Sequence, residues 1–140
     1  MQFVLDCSVA ISWCLVDEND DYANAILAMM PDSEAFVPGI WSLEIANTLV
    51  VAERRNRITQ AQSEQAIALL QSLLIQVDPV TDAKALDATL KLVRQEALAA
   101  YDAAYLELAL RLQLPLATLD TRLAEAATRC GVGLVVVNEE

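Results

Sequence analysis

Histidine is absent from this chain. That removes histidine acid–base catalysis, Ser-His-Asp hydrolysis and histidine ligation of zinc or iron. Bases are few, at nine against twenty acids, for a net charge of −11. Such a balance argues against holding nucleic acid mainly by phosphate neutralisation, and favours bound cations or a basic partner. Cysteines number three, Cys7, Cys14 and Cys130, with no CxxC spacing. This odd count points to a reducing cytoplasm and small core thiols rather than a disulfide framework. No basic leader precedes an apolar signal segment, and no apolar run reaches membrane-spanning length, so a mature chain without a membrane anchor is expected.

What is present is apolar. Hydrophobic residues make up 56% of the 140 and charged residues 21%. One domain spanning 1–140 is expected, large enough to bury a core without disulfides. The apolar excess fits either a well-filled core or a face that meets a partner. Residues 17–34 carry Asp17, Glu18, Asp20, Asp21, Asp32 and Glu34 without a base, which reads as a solvated acidic surface.

Short strand-like runs alternate with helical patterns, the signature of an α/β fold with a parallel sheet. Phe3-Val4-Leu5, Ala35-Phe36-Val37, Ile75-Gln76-Val77, Leu116–Leu119 and Gly133–Val137 read as strands. Ser8 reads as the cap of a short helix running to about Leu15. Further helices are expected from Asp20 or Asp21 to Met30, from Ile40 to Asn56, from a Thr59/Gln62 capping box onward, and over Thr121–Cys130. Between Asp82 and Gln113 neither glycine nor proline occurs, so periodicity alone predicts a single helix of improbable length.

Four acids stand where surface charge is unusual. Asp6 ends the first strand, at the sheet edge where α/β proteins bind ligands. Glu44 interrupts an apolar helix and shares a face with Asn47. Asp102 lies on the side of its helix opposite Glu107 and Arg111, which read as a solvent-facing pair. Asp120 follows another strand and opens the last helix. Each has an ordinary alternative: Asp6, Asp102 and Asp120 as helix caps, Glu44 as part of a wet stripe. Burying all four together is untenable without cations. Two carboxylates 5 Å apart repel by roughly 3 kcal/mol at an effective dielectric near 20. If the four converge, they form a trap for hard divalent ions such as Mg²⁺ or Mn²⁺.

The stretches Val4–Ala10, Trp41–Asn47, Tyr101–Leu106 and Leu116–Leu123 each carry one of these acids. In series they resemble the motifs of the PIN-domain family, and more closely the toxins of bacterial and archaeal VapBC toxin–antitoxin modules. The resemblance covers essentially the whole chain. It implies a three-layer α/β/α sandwich and a metal-dependent endoribonuclease. Asp6 takes the place of the central Mg²⁺ or Mn²⁺ ligand, with Glu44 and Asp102 completing the set. Asp120 would bind a second ion or orient water. Ser8 matches the hydroxyl beside the first acid; Thr118 is a similar candidate, with strand packing as its alternative. Asn47 is either an amide supporting the ligands or a plain surface residue. The implied products carry a 5′-phosphate and a 3′-hydroxyl. The resemblance also breaks the long helix near Ala97–Ala100. It implies a cytoplasmic homodimer and an antitoxin whose basic tail enters the acidic groove, with contact at helices spanning about 40–74.

Bases for an RNA path are sparse. Arg54, Arg55 and Arg57 cluster, but Arg57 is expected to pair with Glu53 at helical spacing. Two other readings compete. A receiver-like domain also has an acidic Mg²⁺ pocket, but it needs a lysine near its last strand, and none occurs after Lys91. A catalytically silent PIN-fold scaffold would keep the shape and bind partners only.

Overall fold

A computed structural model describes residues 1–137. It begins with strand β1 (Gln2–Leu5), helix α1 (Cys7–Cys14) and helix α2 (Asp21–Met29). A 3₁₀ turn over Met30–Asp32 leads to β2 (Glu34–Val37). Helices α3 (Trp41–Arg54) and α4 (Gln60–Ser72) precede β3 (Ile75–Val77). Then come α5 (Thr81–Lys84), a π turn over Ala85–Thr89, α6 (Leu90–Glu96) and α7 (Ala100–Leu112). Strand β4 (Leu116–Ala117) and helix α8 (Thr121–Arg129) follow.

The four strands are parallel and lie in the order β3-β2-β1-β4. Phe3, Val4 and Leu5 are all fully buried. Successive strand residues point to opposite faces, so helices must cover both faces of β1, as a three-layer α/β/α sandwich requires. The chain steps from β1 outward to β2 and β3, then returns to place β4 on the other side of β1. The reversal leaves a crevice at the carboxyl ends of β1 and β4, where Asp6 and Asp120 emerge. Backbone bonds fix that junction, since Asp6 N–H donates to Ala117 O at 2.9 Å.

Local chemistry explains several helix ends. Asp20 caps α2 by accepting from Ala23 N–H, and Thr59 and Gln62 form the expected capping box on α4. The break after α6 uses neither glycine nor proline. Ala97 adopts left-handed φ 54° and ends the helix there.

Several expectations are corrected. Ser8 does not cap α1: it lies inside the helix, and Asp6 occupies the cap position. Gly133–Val137 is not a full strand. It makes one parallel bridge, Leu116 to Leu134, because β4 is only two residues long and offers little edge to pair with. Glu107 is buried, not solvent-facing. Its partner Arg111 also binds Asp78 at the end of β3, at 2.7 and 3.1 Å. Arg57 pairs with Asp17 and Glu18 across the fold, while Glu53 accepts from Ser63 Oγ at 2.7 Å.

Candidate metal centre

Asp6 sits at the amino-terminal cap of α1 yet makes no side-chain cap bond. Its carboxylate turns instead toward β4. Ser8 Oγ donates to Asp6 Oδ2 at 2.6 Å, and Thr118 Oγ1 donates to the same oxygen at 2.8 Å. These hydroxyls also accept backbone donors, Leu119 N–H on Ser8 and Asp120 N–H on Thr118, each at 3.0 Å. The β1–α1 and β4–α8 corners are thus stitched together around one buried carboxylate that is 3% exposed. Burial pushes the Asp6 carboxyl above the usual range. The two hydroxyl bonds oppose that shift, and the charge of Asp120 adds to it.

Glu44 projects from the first turn of α3 and is half-buried. Tyr105 Oη donates to Glu44 Oε1 at 2.6 Å, and Cys7 Sγ approaches Oε2 at 3.5 Å. Burial raises the Glu44 pKa, and the charges of Asp6 and Asp102 raise it further. Asp102 is the third residue of α7 and does not occupy its cap, which is Ala99. Burial raises its pKa too, reinforced by Asp120 and Asp6 and opposed by Arg122. Asp120 does cap α8, accepting from Leu123 N–H through Oδ1 at 3.1 Å.

The four acids thus meet at one end of the sheet and feel one another's charge. Of the three acids at helix starts, only Asp120 caps. Ser8 and Thr118 join the group directly. Asn47 is exposed on α3 and, among the described residues, makes no hydrogen bond to the acids.

Carboxylate oxygens of Asp6, Glu44, Asp102 and Asp120 are hard donors of the kind Mg²⁺ and Mn²⁺ prefer. Burial is the main cause that pushes three of the four carboxyls up, and their mutual repulsion adds to it; hydrogen bonds oppose it on Asp6 and Glu44, and the Arg122 guanidinium opposes it on Asp102. The donor set therefore fits a hard divalent ion. Among the described residues, no three His, Cys, Asp or Glu side chains stand together closely enough to hold an ion as they are placed.

The PIN domain family model matches residues 3–128. This chain belongs to the PIN domain family. No curated protein sequence matches it. Its fold is similar to that of PAE2754 from Pyrobaculum aerophilum, at 21% identity over 90% of this chain and 87% of that one, TM-score 0.66. VapBC2 from Rickettsia felis, solved bound to a DNA fragment from its promoter, aligns at 11% identity over 99% and 100%, TM-score 0.67. VapC20 from Mycobacterium tuberculosis, described as a sarcin-ricin loop cleaving toxin, aligns at 16% identity over 97% and 99%, TM-score 0.65. At these identities the likeness is one of fold. The strand order of this PIN domain also differs from the 2-1-3-4-5 order of receiver-like folds, which removes that alternative. Among the described residues, no helix is long and apolar enough to cross a membrane.

Two residues at the PIN site escaped sequence reasoning. Tyr105 is fully buried, and its hydroxyl reaches Glu44 from the helix that carries Asp102. The available signal was its position, three residues after Asp102 on the same helical face. Cys7 was expected to be a core thiol, but its sulfur faces Glu44. Burial, with the charges of Asp6 and Glu44, pushes that thiol far above its ordinary range, which makes it a poor nucleophile. Cys14 is the core thiol, pushed up to about 11 by burial.

Proposed function

We propose that this PIN domain is a metal-dependent endoribonuclease, the toxin component of a type II toxin–antitoxin module, and that residues 1–140 form that single domain. The observation that carries the reading is that the charges of four carboxylates reach one another at the β1–β4 crevice, where, among the described residues, no base is hydrogen-bonded to them and Arg122 acts on Asp102 only through its charge. Asp6, Glu44, Asp102 and Asp120 would hold Mg²⁺ or Mn²⁺. Bound there, such an ion supplies a water of lowered pKa and positive charge for the leaving oxygen of a phosphodiester. The chain's own residues do the positioning. Ser8 and Thr118 fix Asp6 by one oxygen. Asp120 engages Leu123 through Oδ1, which leaves Oδ2 for the site. Cleavage by water leaves a 5′-phosphate and a 3′-hydroxyl, and it needs no histidine, in agreement with the composition.

The fold likeness to VapC20 and VapBC2 supports the toxin reading. So does the surface. An apolar groove of about 360 Å³ runs between α3, α4 and β3, lined by Trp41, Ile45, Leu49, Ile67, Leu70 and Leu73. Most of its lining falls in the 40–74 region expected to meet an antitoxin, with Ile75 and Val77 of β3 beyond it, and a basic antitoxin tail would suit the −11 charge. A cytoplasmic homodimer belongs to the same proposal.

The test is RNA cleavage by purified protein with Mn²⁺, with EDTA, and with Asp6→Asn. The reading expects cleavage only by the wild type with metal. Cleavage that persists in Asp6→Asn would overturn the mechanism. Protein that binds Mn²⁺ but cuts no RNA would point to the silent scaffold. Co-purification from the native host should recover a small basic protein; recovery of none would count against the toxin role.

A further inference from the structure

Glu44 is the one acid of the four whose two oxygens both face side-chain donors that carry no charge. Tyr105 Oη lies 2.6 Å from Oε1, a short bond, while Cys7 Sγ lies 3.5 Å from Oε2, a long one. Charge-assisted O–H···O⁻ bonds of that shorter length are among the strong ones, and thiols are weak donors. Tyr105 is fully buried in the middle of α7, three residues beyond Asp102. Its phenolic O–H can only donate to a carboxylate, which has no proton to give back.

We infer that Tyr105 is a positioning residue that pins Glu44 by Oε1 and presents Oε2 as a single-oxygen donor for the divalent ion. The inference rests on the metal-site reading proposed above. A carboxylate held this way resists turning into a two-oxygen grip, because one lone pair of Oε1 is already committed to the 2.6 Å bond that fixes its orientation. One-oxygen donation suits Mg²⁺ and Mn²⁺, which demand near-octahedral geometry; Ca²⁺ readily accepts two-oxygen carboxylates and higher coordination. Tyr105 thus couples α7 to α3 twice over. The same helix supplies one acid, Asp102, and sets the angle of another, Glu44.

The experiment is calorimetric titration of Mn²⁺ and of Ca²⁺ into metal-free wild type, Tyr105→Phe, Glu44→Ala and the double variant. Circular dichroism verifies that each is folded. Tyr105→Phe keeps the ring and removes only the hydroxyl. Loss of a partner behind a metal ligand weakens metal binding by about 10–100-fold. That loss is expected for Mn²⁺ in Tyr105→Phe, with a smaller loss for Ca²⁺. In the Glu44→Ala background the same substitution should change Mn²⁺ affinity less than twofold, because its target is gone. Unchanged Mn²⁺ affinity in Tyr105→Phe would overturn the inference. So would an equal loss for both ions, or an equal loss with and without Glu44, since either marks a merely structural effect. Wild type that binds no Mn²⁺ would instead sink the metal-site reading beneath it.

Discussion

This molecule buries acid in two places and treats it in opposite ways. At the end of β3, Asp78 and Glu107 converge on Arg111, with bonds of 2.7 to 3.1 Å. Burial works to raise the Asp78 carboxyl, but hydrogen bonds from Arg111 and Thr81 outweigh it and hold the group below its ordinary value. At the β1–β4 crevice, Asp6, Glu44 and Asp102 also lose water, and no bonded arginine answers them. All three are pushed up. One helix, α7, contributes to both clusters: Asp102 and Tyr105 to the second, Glu107 and Arg111 to the first. The first cluster carries its own cation and is complete as structure. In the second, burial and mutual repulsion are not answered by a bonded arginine, which supports reading it as a site rather than a strut.

That contrast can be broken deliberately. The largest effect is expected from Asp6→Asn. Cleavage should fall at least about 100-fold, as for loss of several kcal/mol of metal-derived stabilisation. The metal-free melting temperature should stay level or rise, because a buried charge has gone. Activity assays and calorimetry on the same preparation check both halves. Arg111→Met should do the reverse. Removing the cation from Asp78 and Glu107 should cost about 2–4 kcal/mol in denaturant unfolding, less than for a fully buried pair because Arg111 keeps some water. Activity per folded molecule should be retained.

The pH dependence should also separate the clusters. Asp6, Glu44 and Asp102 have folded pKa values above their unfolded ones, so the metal-free fold loses stability as pH rises from about 4 through those raised values. Asp78 has a lowered folded value, so its contribution is present above about 4 and is lost as pH falls through the folded pKa. Unfolding curves should show Mn²⁺ removing the neutral-side loss and Arg111→Met removing part of the acid-side loss. The smallest effect is expected from Thr118→Val, which strips one donor from Asp6 Oδ2 and one acceptor from Asp120 N–H. About 1–2 kcal/mol of stability should go, with a several-fold loss of cleavage.

Much of the frame was legible in the residues. Strands β1, β2 and β3 read directly from buried apolar runs bounded by turn residues, and Thr59 with Gln62 announced α4. The break at Ala97 was not legible from composition, because alanine in a left-handed turn leaves no mark; the family resemblance placed it. Glu107 and Arg111 misled, since a charged pair at helical spacing looks the same whether wet or sealed beneath a third residue. Ser8 misled for a different reason. A serine after a strand suits a cap, but its hydroxyl is committed to Asp6 and Leu119. The acids were found one by one as misplaced charges. Asp120 caps α8, as its place after a strand suggested; what sequence could not supply was that Asp6 holds a cap position without capping.

The most direct test of the central claim is the melting temperature of chelator-stripped protein with and without Mn²⁺ at pH 7, for wild type and Asp6→Asn. At a hundredfold excess over Kd, binding stabilises by about 2.7 kcal/mol, a rise of roughly 5–10 °C for a chain of this size. The crevice account predicts that rise in wild type and its loss in Asp6→Asn. No rise in wild type, or the same rise in both, would contradict it.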